Sequence, residues 1–380
     1  MKPVAYLHIG LEKTGTTSLQ YFFHENRSLL QEQGFYYPEQ LGHKNHIYLA
    51  ACARDSRNLD DVRQSIGLRN SRDVLRFRAE VNGKFGQELK ERPAKADRIL
   101  LSNEHISSRL TTVEEVKFLR DFVESHCEIA KIIVYLRRQD RVAISLYSTR
   151  FRVGATQLNP VFPNLTGAIP HRYDYYRLLD LFSGVFGIER LTIRVLEKDK
   201  LKDQDLFLDF ADAIGLRIDK RFRRPPRLNS GLRSSAIRFL AEFNRHVPRM
   251  IEGKVNAYRK NVIRAFNLFV GDDPLVSQSQ AREFYAQFRA GNEQARERFL
   301  SAVAAPLFSE DFDDFPEQQP AMNARYEDAV EIAAELWKFM VRELQARDGT
   351  TSQPAEAKQT TKPIAANQPI VRNTSSSPSA

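Results

Sequence analysis

Residues 10–17 read Gly-Leu-Glu-Lys-Thr-Gly-Thr-Thr, directly after the apolar run Val4–Ile9. Gly10 and Gly15 keep the spacing of the phosphate loop G-x-x-x-x-G-K-[ST], and Thr17 stands where its hydroxyl residue belongs. The lysine departs from that pattern: position 16 is threonine, and the lysine lies inside the loop as Lys13. A loop between a strand and a helix turns the backbone N–H groups of Gly15, Thr16, Thr17 and Ser18 toward an anion. Lys13 adds a point charge on a flexible stem, which can follow negative charge as it develops on a leaving oxygen. In nucleoside-triphosphate enzymes the lysine serves the β- and γ-phosphates and the hydroxyl holds Mg²⁺. The moved lysine speaks against that use.

A second constellation is Y-L-R-R-Q-D-R-V-A-I-S-L-Y, residues 135–147. Arg137 ends an apolar run, and Ser145 follows eight residues later in a helical stretch. An arginine at a strand end and a hydroxyl on the next helix can share one phosphate. Arg138 reads as a solvated charge at the helix start, and Asp140 as that helix's cap. A third is Ser102-Asn103-Glu104-His105, after the apolar run Arg98–Ser102. A carboxylate and an imidazole at that point suit a general base. On extended chain the two neighbours point opposite ways, so one of them faces the reacting group. Glu104 is preferred; the competing reading makes either one a helix cap or a structural hydrogen bonder. His43 and His46 fall in a flexible segment where an acceptor could bind. No carboxylate or cysteine at ligand spacing accompanies them, so no metal site is expected.

The run K-T-G-T-T-S and the pattern of Arg137, Arg141, Ser145 and Tyr147 resemble the two nucleotide-binding motifs of sulfotransferases that use 3′-phosphoadenosine 5′-phosphosulfate (PAPS). Gln139 replaces the proline usual in the second motif. Leu191–Gly215 is similar to the family's strand, acidic residue and helix ending in a "FLGL"-like turn. F-R-A-G-N-E-Q-A-R-E-R-F and P-L-F look like the helical C-terminal part of bacterial members, so the resemblance covers roughly residues 4–340.

That resemblance implies a P-loop type α/β fold with PAPS as donor and no metal requirement. Lys13, Thr14, Gly15, Thr16, Thr17 and Ser18 would hold the 5′-phosphosulfate, and Arg137 and Ser145 the 3′-phosphate. The sulfuryl group would pass to a hydroxyl or amine of a glycan, a lipid-linked sugar or a small metabolite. Lys13, Glu104 and His105 are the catalytic candidates. Members acting on small molecules place a histidine at the point matching Glu104 and His105, and polysaccharide-modifying ones often use a glutamate on another segment. The competing enzyme reading is a variant P-loop kinase or nucleoside triphosphatase using ATP and Mg²⁺. A binder of nucleic acid or anionic polysaccharide is a further reading, but no zinc finger, helix-turn-helix or RNP-type motif is visible. A nucleotide-binding member without activity completes the set.

The elements that must carry these residues alternate. Val4–Ile9, Arg98–Ser102, Lys131–Leu136 and Leu191–Val195 read as strands, the third as a near-continuous apolar run of the kind buried in parallel sheets. Thr16–Gln33, stopped by Gly34, reads as a helix with Leu19, Phe22, Phe23 and Leu30 on its apolar face. Val62–Leu89, Val113–Glu124, Asp140–Arg152, Tyr175–Phe186 and Asp203–Ile214 are helical, the last stopped by Gly215. Tyr36–Ala53 and Gly154–Tyr173 are irregular. Strands alternating with helices predict an α/β fold, three layers around a parallel sheet. Its ligands should bind beyond the carboxyl ends of the strands. The α/β core is expected over residues 1–216 and a mostly helical extension over 217–345. In that extension Ala329–Leu344 forms an amphipathic helix whose Trp337 packs. The stretch from 346 to 380, rich in Thr, Ser, Pro, Ala and Gln, reads as a disordered tail.

Composition sets the outer bounds. Of 380 residues 42% are hydrophobic, enough for a sizeable core, and no window approaches 18 apolar residues in a row, which excludes a membrane-spanning helix. The two cysteines, Cys52 and Cys127, exclude a disulfide framework and read as buried bystanders. The net charge of +9 suits an anionic ligand, and Arg221, Arg223, Arg224 and Arg227 form one cationic cluster. No signal peptide fits before Gly10, so a cytoplasmic location is expected.

Overall fold

The computed structural model describes residues 2–225, 231–252, 254–271, 273–320 and 325–347. The tail expected from residue 346 lies outside them from residue 348 on. The chain divides into two units, Met1–Leu336 and Trp337–Ala380. In the first, β1 (Val4–Gly10), β2 (Phe35–Tyr36), β3 (Arg98–Ser102), β4 (Glu128–Leu136) and β5 (Leu191–Val195) make one sheet. Their order is β2-β3-β1-β4-β5, and every pairing is parallel.

The two-residue period of the strands explains the layers. Leu7, Ile9, Ile99, Leu101, Ile132 and Val134 enter one core, together with Leu119 and Val123 of the Val113–Glu124 helix and Phe182 of the Tyr175–Phe186 helix. Leu100, Ile133 and Tyr135 face the other way. They meet Leu19, Phe22 and Phe23 of the Thr16–Glu25 helix and Phe210 of the Leu206–Ile214 helix. Each fully buried Leu or Phe contributes about 1.5–3 kcal/mol, so both sheet faces are held firmly. The expected α/β class with helices flanking a parallel sheet is therefore observed. The order in which strands are added changes sides at β1: β2 and β3 lie on one side, β4 and β5 on the other. The carboxyl ends of β1 and β4 flank that switch, where open α/β sheets form a crevice.

Several boundaries differ from expectation, each for a local reason. Thr16–Gln33 is two helices, Thr16–Glu25 and Arg27–Glu32. The break is Asn26, whose amide nitrogen donates to the carbonyls of Phe22 (2.7 Å) and Arg223 (2.8 Å), while its oxygen accepts from the Arg223 amide (2.8 Å). Val62–Leu89 is likewise two helices, Asp61–Ser65 and Ser71–Glu91, because Asp60 and Asn70 each cap a new start. The helix expected from Asp203 begins at Leu206. Asp203 has φ of 51°, and Asp205 caps the amides of Phe207 and Leu208. Tyr36–Ala53 contains the helix Ile47–Ala53.

Asp140 is not a cap. It lies buried in the first turn of the Gln139–Arg152 helix and pairs with Arg138 at 2.9 Å. Arg138 is correspondingly not solvated: it is 5% exposed, donates to the carbonyls of Ser309 (2.7 Å) and Asp311 (2.6 Å), and covers the Phe312 ring. The region after residue 217 is mostly helical, with Ser234–His246, Arg259–Ala265, Gln278–Ala286, Arg289–Phe299 and Tyr326–Arg347. A two-stranded hairpin, Met250–Ile251 with Lys254–Val255, interrupts it. Trp337, expected to pack, is 73% exposed; it follows buried Ile332 by five residues, about 140° around the helix. Cys52 and Cys127 are both buried. In the arginine cluster, Arg221 pairs with Asp219 and Glu32, and Arg224 with Asp205; Arg227 lies outside the described residues. No described helix is long and apolar enough to cross a membrane.

One buried cation holds a loop that reaches the cleft described below. Arg63 is fully buried, and its guanidinium donates to the carbonyls of Ala51 (2.8 and 2.9 Å), Arg54 (2.5 Å), Asp55 (2.5 Å) and Asn58 (2.6 Å). No other side chain offers five N–H donors in a planar fork. Arg63→Met is expected to destabilise the fold by about 3 kcal/mol, since it orphans several buried carbonyls. Arg63→Lys should recover only part of that. Urea unfolding midpoints check both; equal midpoints for all three chains would refute the role.

Candidate active site

β1 ends at Gly10, whose φ is 104° and where a Cβ would lie 2.9 Å from the Cα of Glu104. Only glycine satisfies both conditions. The loop then turns through Lys13 (φ 65°) and Gly15 (φ 81°). The hydroxyls of Thr14 and Thr16 point inward, donating to the Leu11 carbonyl at 2.7 and 2.8 Å. They brace the loop from beneath. The Thr16–Glu25 helix makes its first backbone bond from Leu19 to Gly15, so the preceding helical amides have no partner within the helix.

Lys13 reaches across the sheet end. Its Nζ donates to Thr149 Oγ1 at 2.7 Å, and Thr149 donates in turn to the Ser145 carbonyl at 3.0 Å. Arg137, just past β4, donates to the Lys13 carbonyl at 2.7 Å. The Tyr175 hydroxyl donates to the Arg137 carbonyl at 2.5 Å and fixes that corner. Burial lowers the Lys13 ammonium below its usual range, opposed by the charges of Glu12 and Glu104. Burial also lowers Arg137, aided by Arg141.

Lys13, Arg137, Ser145 and Thr149 line a cleft of about 550 Å³, together with Thr16, Thr17, Glu104, His105 and Arg109. That volume suits a small-molecule ligand. Eight residues singled out in the sequence therefore meet in one place: Lys13, Gly15, Thr16, Thr17, Glu104, His105, Arg137 and Ser145. Thr14 and Ser18 are not among the lining side chains. Arg141 and Tyr147 are also elsewhere. Arg141 pairs with Asp314 and stacks on Phe315, and the Tyr147 hydroxyl donates to the Leu158 carbonyl at 2.6 Å.

The expectation that Glu104 and His105 oppose each other does not hold. Glu104 has helical angles (φ −72°, ψ −20°), and His105 opens the short helix His105–Arg109, so both line the cleft. Gln20 Nε2 donates to Glu104 Oε2 at 2.8 Å. Gln20 also lies 3.4 Å from Ser102 Oγ, which contacts His8 Nδ1 at 2.9 Å. His46 is not in a flexible acceptor segment. It is fully buried, with Nδ1 accepting from the Ser102 amide at 3.0 Å and Nε2 at 2.9 Å from the Pro38 carbonyl. Burial pushes both His8 and His46 down to about 3, so both are neutral. His43 is exposed, its ring edge-on to His24. Among the described residues no three His, Cys, Asp or Glu side chains are grouped to hold a metal.

Sequence reading missed four contributors. Glu12 precedes Lys13; its Oε1 accepts from Ser108 Oγ at 3.2 Å and lies 3.7 Å from His105 Nδ1, and its Oε2 lies 3.8 Å from Arg172. Burial opposes ionisation of Glu12, but His105, Arg172 and Arg109 outweigh it and hold the carboxyl at about 2. Burial likewise disfavours the His105 imidazolium, but the Glu12 and Glu104 carboxylates outweigh it, and His105 titrates above its ordinary value. Thr149 was legible as the residue one turn after Ser145, and Arg109 as one turn after His105. Gln20 needs the tertiary fold to be found. Compared with protein families, characterised proteins and solved structures, the chain matches none.

Proposed function

We propose that the protein is a sulfotransferase of P-loop type. It would move a sulfuryl group from PAPS to a hydroxyl or amine of a glycan, a lipid-linked sugar or a small metabolite. One observation carries the reading. The ends of β1, β3 and β4 converge on one cleft, and each brings a residue the reaction needs: Lys13, the Glu104–His105 pair, and Arg137 with Ser145.

In this reading the phosphosulfate sits at the Gly15–Thr17 turn and the helix start behind it. Arg137 and Ser145 bind the 3′-phosphate. The acceptor oxygen attacks sulfur in line as the bond from sulfur to the bridging phosphate oxygen breaks. Lys13 neutralises the charge left on that oxygen, and a base at Glu104 or His105 removes the acceptor proton. Thr149 supports this use of Lys13, because a neutral hydroxyl holds the ammonium and gives it up at the cost of one hydrogen bond.

The test is thermal stability with 3′,5′-adenosine bisphosphate in EDTA, against ATP with Mg²⁺. A ligand at 100 times its Kd stabilises by about 2.7 kcal/mol. Stabilisation by the bisphosphate, lost in Arg137→Ala, is the expected result. Stabilisation only by ATP with Mg²⁺ would replace this reading with a phosphotransferase or nucleoside triphosphatase.

A further inference from the structure

We propose that His105 is a fixed cation held by Glu12, and that Glu104, oriented by Gln20, is the group that takes the acceptor's proton. The chemistry rests on the sulfotransferase reading; the division of roles rests on the geometry of the pair.

His105 has carboxylates on two sides. Glu12 approaches from the loop after β1, 3.7 Å from Nδ1, and Glu104 is its chain neighbour. Arg109 on its own helix opposes them, and Arg172 faces the far oxygen of Glu12 at 3.8 Å. Lys13 and Asp61 line the same cleft. Asp61 is itself engaged by Arg109 at 3.0 Å. His105 Nδ1 is buried, and Glu12 Oε1 stands just beyond hydrogen-bond distance from it at 3.7 Å. An imidazolium donates from both nitrogens and accepts from neither, so it cannot act as a base. Its place in the cleft gives the reacting group a positive charge and a donor.

Glu104 is built for the opposite task. Oε2 is held by Gln20, which is 3% exposed and cannot swing away. Oε1 has no hydrogen-bond partner among the described residues. The backbone of Glu104 packs so closely against residue 10 that a side chain there would collide with it. The step then balances: the acceptor oxygen–sulfur bond forms, the sulfur–phosphate oxygen bond breaks with its electron pair, and the acceptor proton passes to Glu104. The carboxylic acid later loses that proton to water. Glu12 and Gln20 touch no reacting atom and are positioning residues.

The direct test is a titration of the histidine resonances of the full chain by NMR, with His105 assigned by their loss in His105→Gln. The His105 midpoint is expected above 6.5, and about one pH unit lower in Glu12→Gln. Arg172→Gln, which leaves Glu12 freer to act on His105, should move it upward and serves if Glu12→Gln does not fold. A midpoint at or below 6.5, or one unmoved in these variants, overturns the proposal. In turnover, Glu104→Gln should lose about 100-fold or more. Glu12→Gln should shift the alkaline limb of the pH profile to lower pH, since the cation is lost sooner. Full activity in Glu104→Gln also overturns the assignment. Failure of the bisphosphate to bind would sink the sulfotransferase reading alone, because the titration is read without any substrate.

Discussion

Lys13→Ala is expected to lower sulfuryl transfer by about 10²–10³-fold, mostly in kcat. Removing one group that meets charge as it develops costs about that much in enzymes of other classes. On the sulfotransferase reading the effect should fall on kcat, because Lys13 would act on the oxygen that becomes charged only as the sulfur bond breaks. Two features sharpen the expectation. Lys13 is largely sheltered from solvent, so its charge is poorly screened. Its carbonyl is also held by Arg137, which fixes the backbone from which the side chain springs, while the ammonium rests on the Thr149 hydroxyl. Lys13→Arg should not restore the rate, because a planar guanidinium does not fit a place made for a point charge beside Thr149. Thr149→Val should cost far less, because it removes only the resting partner. Steady-state kinetics on the three variants check the order; an unchanged kcat in Lys13→Ala would remove the lysine from the mechanism.

Acid should unfold the protein well before its carboxylates titrate. His8 and His46 are buried with values near 3, against about 6.5 in the unfolded chain. Both are depressed groups: their contribution is complete above pH 6.5 and is lost as pH falls toward 3. Two protons taken up on unfolding give a slope of about 2.7 kcal/mol per pH unit. Between pH 6.5 and 4.5 the loss is on the order of 5 kcal/mol, comparable with the whole stability of many domains. His24, His126 and His171 are shifted in the same direction, and His105 in the opposite one. Urea midpoints at pH 7 and pH 5 measure the slope, and His46→Gln should remove a large part of it. A midpoint that does not fall between those two pH values would refute the buried neutral state.

The parts of this fold legible from sequence are those governed by local periodicity. The apolar runs at β1, β3, β4 and β5 were readable because strands buried on both faces carry few polar residues. The cleft residues at Lys13, Glu104 and Arg137 were readable because each stands just past such a run. What escaped depends on partners distant in sequence. Asn26 breaks a helix by bonding to Arg223, 197 residues away, and no window around Asn26 contains that fact. Arg138 looked solvated because its partners Ser309 and Asp311 come from the far end of the chain. Extended chain at Glu104 and His105 would point the two side chains apart. The short helix that starts there brings both into the cleft. His46 shows the same limit: nothing local says that its ring will bridge the backbone of Pro38 and Ser102.

The absence of a side chain at Gly10 lets the turn after β1 lie close against the backbone of Glu104. The turn that carries Lys13 and the segment that carries Glu104 leave neighbouring strands, and the Asn103 amide ties them by donating to the His8 carbonyl at 3.0 Å. The span from the Lys13 ammonium to the Glu104 carboxylate is thus a property of two adjacent parallel strands, and rotamer changes adjust it only at the tips. A cleft built this way has a fixed gauge. On the sulfotransferase reading, variation in acceptor size would fall to the rim of the cleft, where Asp61, Leu146 and Val153 lie, while the distance at the centre stays constant.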